Sequence, residues 1–288
     1  MYSAPFEYHA PATLAEALSL LEKHGDEAKV LTGGMSLVPV MKLRLAQPSH
    51  LIDLRKIPGL VGARETNGML QIGGRTTHDG VARDPLVKQK LPMAAEAALL
   101  IGDRQVRNLG TIGGSIAHAD PSADWPAVMM ALDASVVIAG PKGERTQKLA
   151  DFIVGPLSTT LTAGEILTQI NVPLPPPKTG GAYEKMPHPA SRFAIVGVAA
   201  EISLAADGTV AWSRIAITGL ASKVTRATAV EQALLGKKME AVKDAAGHAT
   251  DGMELREDPT GSPAYRANLA AIYMERAIVR AAARAATR

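Results

Sequence analysis

Two glycine pairs place the tightest constraint on what this chain can fold into. They are Thr32-Gly33-Gly34-Met35-Ser36 and Thr111-Ile112-Gly113-Gly114-Ser115. Each follows a short apolar stretch and precedes a segment able to turn into a helix. A Gly-Gly step lets backbone N–H groups point inward and admits phosphate oxygens without a Cβ in the way. A neighbouring hydroxyl adds a donor. Two such loops in one chain predict one ligand held at two places, and a dinucleotide with a central pyrophosphate fits that pattern.

The surrounding composition narrows the options. A chain of 288 residues is long enough for two compact domains with a sizeable core. Aromatic residues make up only 3%, so Ala, Leu, Val and Ile must fill that core. A net charge of +3 without a long basic run does not indicate nucleic-acid binding. The absence of cysteine excludes disulfides, a thiol nucleophile and any thiolate-held iron–sulfur cluster within the chain. Met1-Tyr2-Ser3-Ala4-Pro5 lacks the pattern of a signal peptide, and apolar stretches such as 97–101 are too short to span a bilayer. The expectation is a cytoplasmic protein with no membrane span. No metal site is expected: His118 and His188 lack partners at ligand spacing, and Pro121 interrupts the Asp120–Asp124 pair.

Local patterns give an α+β chain. Thr13-Leu14-Ala15-Glu16 is a capping box that opens a helix with Leu14, Ala15, Leu18 and Leu21 on one face, ending near Gly25. Strands are expected at 29–31 and 51–54, with a helix at 36–45 between them, as in a small parallel unit. Asn67-Gly68 predicts a type I′ hairpin between 61–66 and 69–73. Helices are expected at 77–83, 92–101 and 124–131, and strands at 135–139, 147–149 and 165–172. Pro173-Leu174-Pro175-Pro176-Pro177 marks a domain break, because these prolines cannot donate backbone hydrogen bonds and favour a stiff connector. Beyond it, three antiparallel strands (182–186, 196–205, 209–218) precede helices at 227–235, 240–249 and 263–286.

The stretch from Arg107 to Asp124 alternates small, hydroxyl and acidic residues without a hydrophobic face, and is either a backbone wrapped around a polar ligand or merely a Gly-rich turn. Asp124, at a helix start, either caps N–H groups or accepts from ribose hydroxyls.

These residues carry a resemblance. Gly33 to Lys42, then 51–54, then Asn108 to Asp124 resemble the FAD-binding subunits of molybdenum hydroxylases. That family includes the medium subunit of aerobic carbon monoxide dehydrogenase and the flavin portion of xanthine dehydrogenase. The similarity spans essentially the whole chain. It implies a two-lobed α/β FAD-binding domain (PCMH-type) at 1–177, with lobes of about 1–55 and 56–177. A C-terminal domain at 178–288 would be a three-stranded antiparallel sheet with a helical bundle.

By the same resemblance, Val30, Leu31, Thr32, Gly33, Gly34, Met35, Ser36, Leu37 and Val38 line the pyrophosphate and adenosine side of FAD. Thr111, Gly113, Gly114 and Ser115 form a second clasp, followed by His118, Asp120, Ser122 and Asp124. Ile101, Leu167 and Lys185 fall where the family approaches the cofactor. Ile101 is aliphatic where some members have an aromatic ring, and Met35 replaces a residue that is often polar. His78 belongs either to the adenine or phosphate side or to the surface. His118 is a hydrogen-bond donor or packs locally, since FAD in this branch is non-covalent. Lys185 either stabilises negative charge on the flavin or guards a sheet edge against strand pairing. The 187–192 segment either reaches the flavin region or is a plain hairpin loop.

The resemblance further implies an electron-transfer subunit. Electrons would arrive from [2Fe–2S] clusters on a small partner, molybdopterin would sit on a large partner, and the assembly would be a dimer of heterotrimers. The oxidised substrate and the terminal acceptor stay open. The rival readings are a stand-alone FAD-dependent oxidase or dehydrogenase and a binding protein that has lost FAD.

Overall fold

A computed structural model describes residues 2–287. Three sheets of three or more strands divide the chain, beside one two-stranded pair. The first lobe contains β1 (Glu7–His9), α1 (Leu14–His24), β2 (Ala28–Leu31), α2 (Leu37–Lys42) and β3 (His50–Asp53). Its strands run parallel in the order β1-β3-β2. Thr13 and Glu16 form both halves of the predicted capping box. The buried face of α1 carries Ala17 and Leu21, whereas Ala15, expected there, is exposed. β1 has no apolar alternation and was not foreseen. α2 is shorter than the expected 36–45.

The second lobe begins with β4 (Ala63–Thr66) and β5 (Met69–Gly73), joined by the expected turn, with positive φ at both Asn67 and Gly68. Six short helices follow: α3 (His78–Arg83), α4 (Pro85–Lys90), α5 (Pro92–Leu100), α6 (Arg104–Leu109), α7 (Ile112–His118) and α8 (Asp124–Ala131). Then come β6 (Ser135–Gly140), β7 (Gly143–Lys148), α9 (Leu149–Phe152), β8 (Ile153–Gly155), β9 (Ser158–Thr159) and β10 (Ile166–Pro173). The sheet order β4-β5-β10-β6-β7 puts the last strand in the middle. Its residues Ile166, Leu167, Ile170 and Val172 are buried, and it pairs antiparallel on both sides.

The third sheet holds β11 (Thr179–Pro187), β12 (Ala194–Leu204), β13 (Val210–Thr218) and β14 (Thr225–Arg226), in sequence order. The three long strands are those expected, and β14 adds a two-residue fourth. Helices α10 (Thr228–Leu234), α11 (Val242–Ala246) and α12 (Pro263–Ala286) cover one face. Apolar residues on α12, including Leu269, Met274, Ala277, Ile278 and Ala281, join β11–β13 in one core. Gly180 lets the sheet approach: a Cβ there would lie 2.1 Å from the carbonyl oxygen of Ala281.

Arg266 on α12 is the largest charge inside this unit, only 1% exposed. It donates to the carbonyls of Ile195 (2.7 Å) and Gly219 (2.6 Å), to Asp258 Oδ1 (2.6 Å) and to Thr260 Oγ1 (2.6 Å). One side chain thereby satisfies the end of a strand, a turn and the loop before its own helix. Truncating a buried charge strands its partners, which costs about 3–5 kcal/mol. Arg266→Met is expected to lower the urea unfolding free energy by that amount; a loss under about 1 kcal/mol would show the network to be dispensable.

Candidate functional site

A cleft of about 670 Å³ opens between the two N-terminal lobes. That volume lies within the range of about 300–1,000 Å³ typical of ligand pockets. One wall is Val30 to Leu37, where β2 runs into α2. The other is built from His78, Ile101, Thr111, Gly113, Gly114, Ser115, His118, Asp120, Asp124 and Leu167. The sequence signal thus brings most of the predicted residues to one place.

The two glycine pairs do different work there. Among the described residues, the amides of Gly33, Gly34, Met35 and Ser36 donate to no other group of the chain. The amides of the second pair are already engaged: Gly113 donates to the Gly74 carbonyl at 2.9 Å and Gly114 to Thr111 Oγ1 at 3.1 Å. The expectation of inward-pointing amides at both loops is therefore corrected for the second. Thr111 caps α7, and the glycines make room. A Cβ on Gly113 would sit 2.5 Å from the Gly74 carbonyl oxygen, and one on Gly114 would crowd Thr111 Oγ1 and Thr32 Oγ1 at 2.8 and 2.9 Å. The stretch 107–124 is likewise more ordered than a wrapped loop. It contains α6 and α7, and Ile112 and Ile116 provide the apolar face that the sequence seemed to lack.

The walls touch each other. Thr32 Oγ1 lies 3.0 Å from Thr111 Oγ1. Gly33 has no room for a side chain, since a Cβ would fall 2.1 Å from the Leu109 carbonyl oxygen and 2.7 Å from Gly110 Cα.

Three predicted residues lie outside the lining. Val38 packs its Cγ2 toward Gly34 from within α2. Ser122 faces the C-terminal unit, accepting from Arg256 at 3.0 Å. Lys185 is buried beneath the cleft, where its ammonium meets Asp124 at 2.8 Å and the Leu100 carbonyl at 3.0 Å. It neither protects an open sheet edge nor reaches the cleft.

Asp124 lines the cleft, but the capping alternative does not hold. It occupies the first turn of α8 without capping it. Its carboxylate accepts from Tyr183 at 2.5 Å and from Lys185, so its lone pairs are committed inside the protein. Burial pushes its pKa up, and Lys185 and then Tyr183 oppose that. The Tyr183 phenol is pushed well above its ordinary value by burial and then by Asp124, so it stays a donor.

His78 is buried against the cleft floor. Trp125 Nε1 donates to its Nδ1 at 2.9 Å, which leaves the ring proton on Nε2. Burial, and then Arg107, pull its pKa from 6.5 to about 4. His118, at the end of α7, and Asp120, which holds the Ser122 amide at 2.8 Å, complete the far wall.

Some lining residues carried no sequence signal. Gly74, Val106 and 161–163 reach the cleft through lobe packing alone. Glu165, at the rim, is held at about 2 by the Arg145 guanidinium, which grips both its oxygens. From the third sheet, Ser191, Arg192 and Phe193 of the β11–β12 loop come to the mouth, so the 187–192 segment is no plain hairpin loop.

A family model for the FAD binding domain in molybdopterin dehydrogenase matches residues 4–175, and one for the CO dehydrogenase flavoprotein C-terminal domain matches 181–281. The chain belongs to the FAD-binding subunits of the molybdenum hydroxylases. It is 43% identical to the carbon monoxide dehydrogenase medium chain of Hydrogenophaga pseudoflava, with 98% of each chain covered. It is 36% identical to the nicotine 6-hydroxylase medium subunit of Paenarthrobacter nicotinovorans, covering 96% of this chain and 97% of that one. In three dimensions it matches a solved carbon monoxide dehydrogenase from Hydrogenophaga pseudoflava with TM-score 0.95, 44% identity and 99% of both chains covered. Quinoline 2-oxidoreductase from Pseudomonas putida 86 matches with TM-score 0.94, 33% identity and 99% coverage of both. This molybdenum hydroxylase flavoprotein subunit is thus an oxidoreductase component. Among its described residues, no helix is long and apolar enough to cross a membrane.

Two outcomes are expected. Lys185→Met leaves Asp124 buried without its cation and should cost about 3–5 kcal/mol in urea unfolding, with much of that loss absent when Asp124→Asn is added. For His78, the unfolded chain takes up a proton below pH 6.5 that the folded chain refuses until about pH 4. Stability is full above that window and falls as pH drops through it, by about 3 kcal/mol in all. Chemical unfolding at stepped pH should show this loss, and it should shrink in His78→Gln.

Proposed function

We propose that this subunit holds FAD non-covalently in the inter-lobe cleft and relays electrons from [2Fe–2S] clusters of a small partner subunit to a terminal acceptor. Substrate oxidation would take place at the molybdenum cofactor of a large partner, in a cytoplasmic dimer of heterotrimers. In this reading the chain divides at residue 177, and its N-terminal part into lobes of about 1–55 and 56–177. Bound FAD supplies the redox chemistry, storing two electrons that arrive one at a time.

The observation that carries the reading is the run of four uncommitted amides at Gly33 to Ser36 on a cleft wall. Preorganised backbone donors without an internal acceptor suit a diphosphate. Val30, Leu31, Thr32 and Leu37 would extend that wall along the adenosine side, while Ser115, His118 and Asp120 offer polar atoms opposite. Thr111, Gly113 and Gly114 set the spacing between walls. Ile101 and Leu167 would pack against the flavin end without aromatic stacking. The Ile101 turn is held by Arg107, which donates to the carbonyls of Ile101 and Gly102 at 3.0 Å each. His78 and Asp124 belong to the second wall but are tied to Trp125, Tyr183 and Lys185, and Lys185 acts as a positioning residue behind them. Arg192 and Phe193 would shape the path of the acceptor.

The test is flavin occupancy read from visible absorbance of folded protein. Gly33→Ala forces the first loop off Leu109 and should weaken FAD at least tenfold, about 1.4 kcal/mol. Gly114→Val should act similarly through the Thr32–Thr111 contact. Full occupancy in both variants would remove the glycine pairs from the cofactor site. Purification of the native assembly should bring down an iron–sulfur chain and a molybdenum chain. A lone flavoprotein chain that turns over a substrate would instead favour the stand-alone oxidase.

A further inference from the structure

We propose that His9, His24 and His50, joined by Glu7, form a binding site for a divalent cation of the zinc class on the first lobe, outside the cleft. Among the described residues, these histidines are the one group of three potential metal ligands whose donor atoms all lie within 4.8 Å of one another.

The fold assembles them from three separate elements. The parallel pairing of β1 with β3 places Glu7 opposite His50. The two-residue strand period puts His9 on the same face as Glu7. His24 follows Leu21 by three residues at the end of α1, and so emerges from the face that packs on the sheet. Sequence spacing hides this arrangement, because residues 7, 9, 24 and 50 follow no ligand motif.

The distances suit tetrahedral coordination. His9 Nε2 lies 3.2 Å from His50 Nδ1. Glu7 Oε2 lies 3.4 Å from His50 Nδ1 and 3.8 Å from His9 Nε2. Two metal bonds of about 2.0–2.1 Å at the tetrahedral angle put their donor atoms about 3.3 Å apart. Three imidazoles and one carboxylate are also a donor set that suits zinc.

His24 provides the independent observation. Its Nε2 is sealed from solvent and has no hydrogen-bond partner, although buried polar atoms in native proteins are seldom left unpaired. Its ring stacks 3.7 Å from that of His50. A turn of the His24 ring toward the His9–Glu7 side would complete the ligand set. A bound cation would staple the three-residue strand β1 to α1 and β3.

The experiment uses the untagged, FAD-loaded full chain, stripped with a chelator and then titrated with Zn²⁺ alone or Co²⁺ alone. One zinc per chain should survive gel filtration, and Co²⁺ should develop the visible bands of a tetrahedral site to the red of the flavin. The double variant His9→Gln/His24→Gln should bind zinc at least about 100-fold more weakly, more than the loss of an outer-shell partner brings. Unchanged flavin absorbance in that variant shows that it has folded, and His188→Gln should bind zinc as the parent does. Failure of the parent chain to retain zinc, or equal zinc affinity in parent and double variant, would overturn the proposal.

Discussion

Thr32 and Thr111 share a hydroxyl contact across the two lobes, and beside it Gly33 rests against the backbone of Leu109 and Gly110. This joint sets the width of the cleft. Only a residue without a side chain fits at 33 and at 113, and at 114 a Cβ would crowd the two threonine hydroxyls. The first loop can then leave its own amides uncommitted, because the neighbouring element supplies the rigidity. α7 is pinned in turn by Gly113 on Gly74 and by Ile112 donating to the Thr76 carbonyl. The polar surface at residues 33–36 thus rests on close backbone packing one layer behind it.

Buried charges occupy the joints between elements. Asp53, fully buried, takes hydrogen bonds from Tyr8 at 2.8 Å and from Arg55 at 2.6 Å, tying β1 to the end of β3. Asp124 links α8 to β11 through Tyr183 and Lys185. Arg266 links α12 to the ends of β12 and β13. Apolar contacts are interchangeable at modest cost, but a buried charge accepts few partners. These groups therefore fix relative placement where a core rich in alanine and aliphatic residues fixes little by shape.

Much of the fold was legible because its signals are local. The capping box at Thr13 and the Asn67-Gly68 turn each rest on residues adjacent in sequence. The cleft was legible for a related reason, since unusual glycines mark where backbones meet. What the glycines meet was hidden. At 33–36 the amides stay open, whereas at 113–114 they donate to the Gly74 carbonyl and the Thr111 hydroxyl. Lys185 and Asp124 were found as residues, but their mutual pairing was not, because it spans 61 positions. β1 escaped notice because three residues, none of them buried, leave no periodic trace.

The Asp124–Tyr183–Lys185 cluster has a consequence for how the chain can be divided. Every residue of the glycine-rich walls lies before the proline run, yet the groups that neutralise Asp124 lie after it. So do the donors to the loop ahead of α8: Thr218 Oγ1 serves the carbonyls of Pro121 and Ala123, and the amides of Gly219 and Ala194 serve Pro121 and Ser122. A fragment severed at the prolines would lose the partners of the Asp124 carboxylate and of three backbone carbonyls. The last third of the molecule behaves as a permanently attached scaffold, so the two parts are separable in sequence but share one thermodynamic fate.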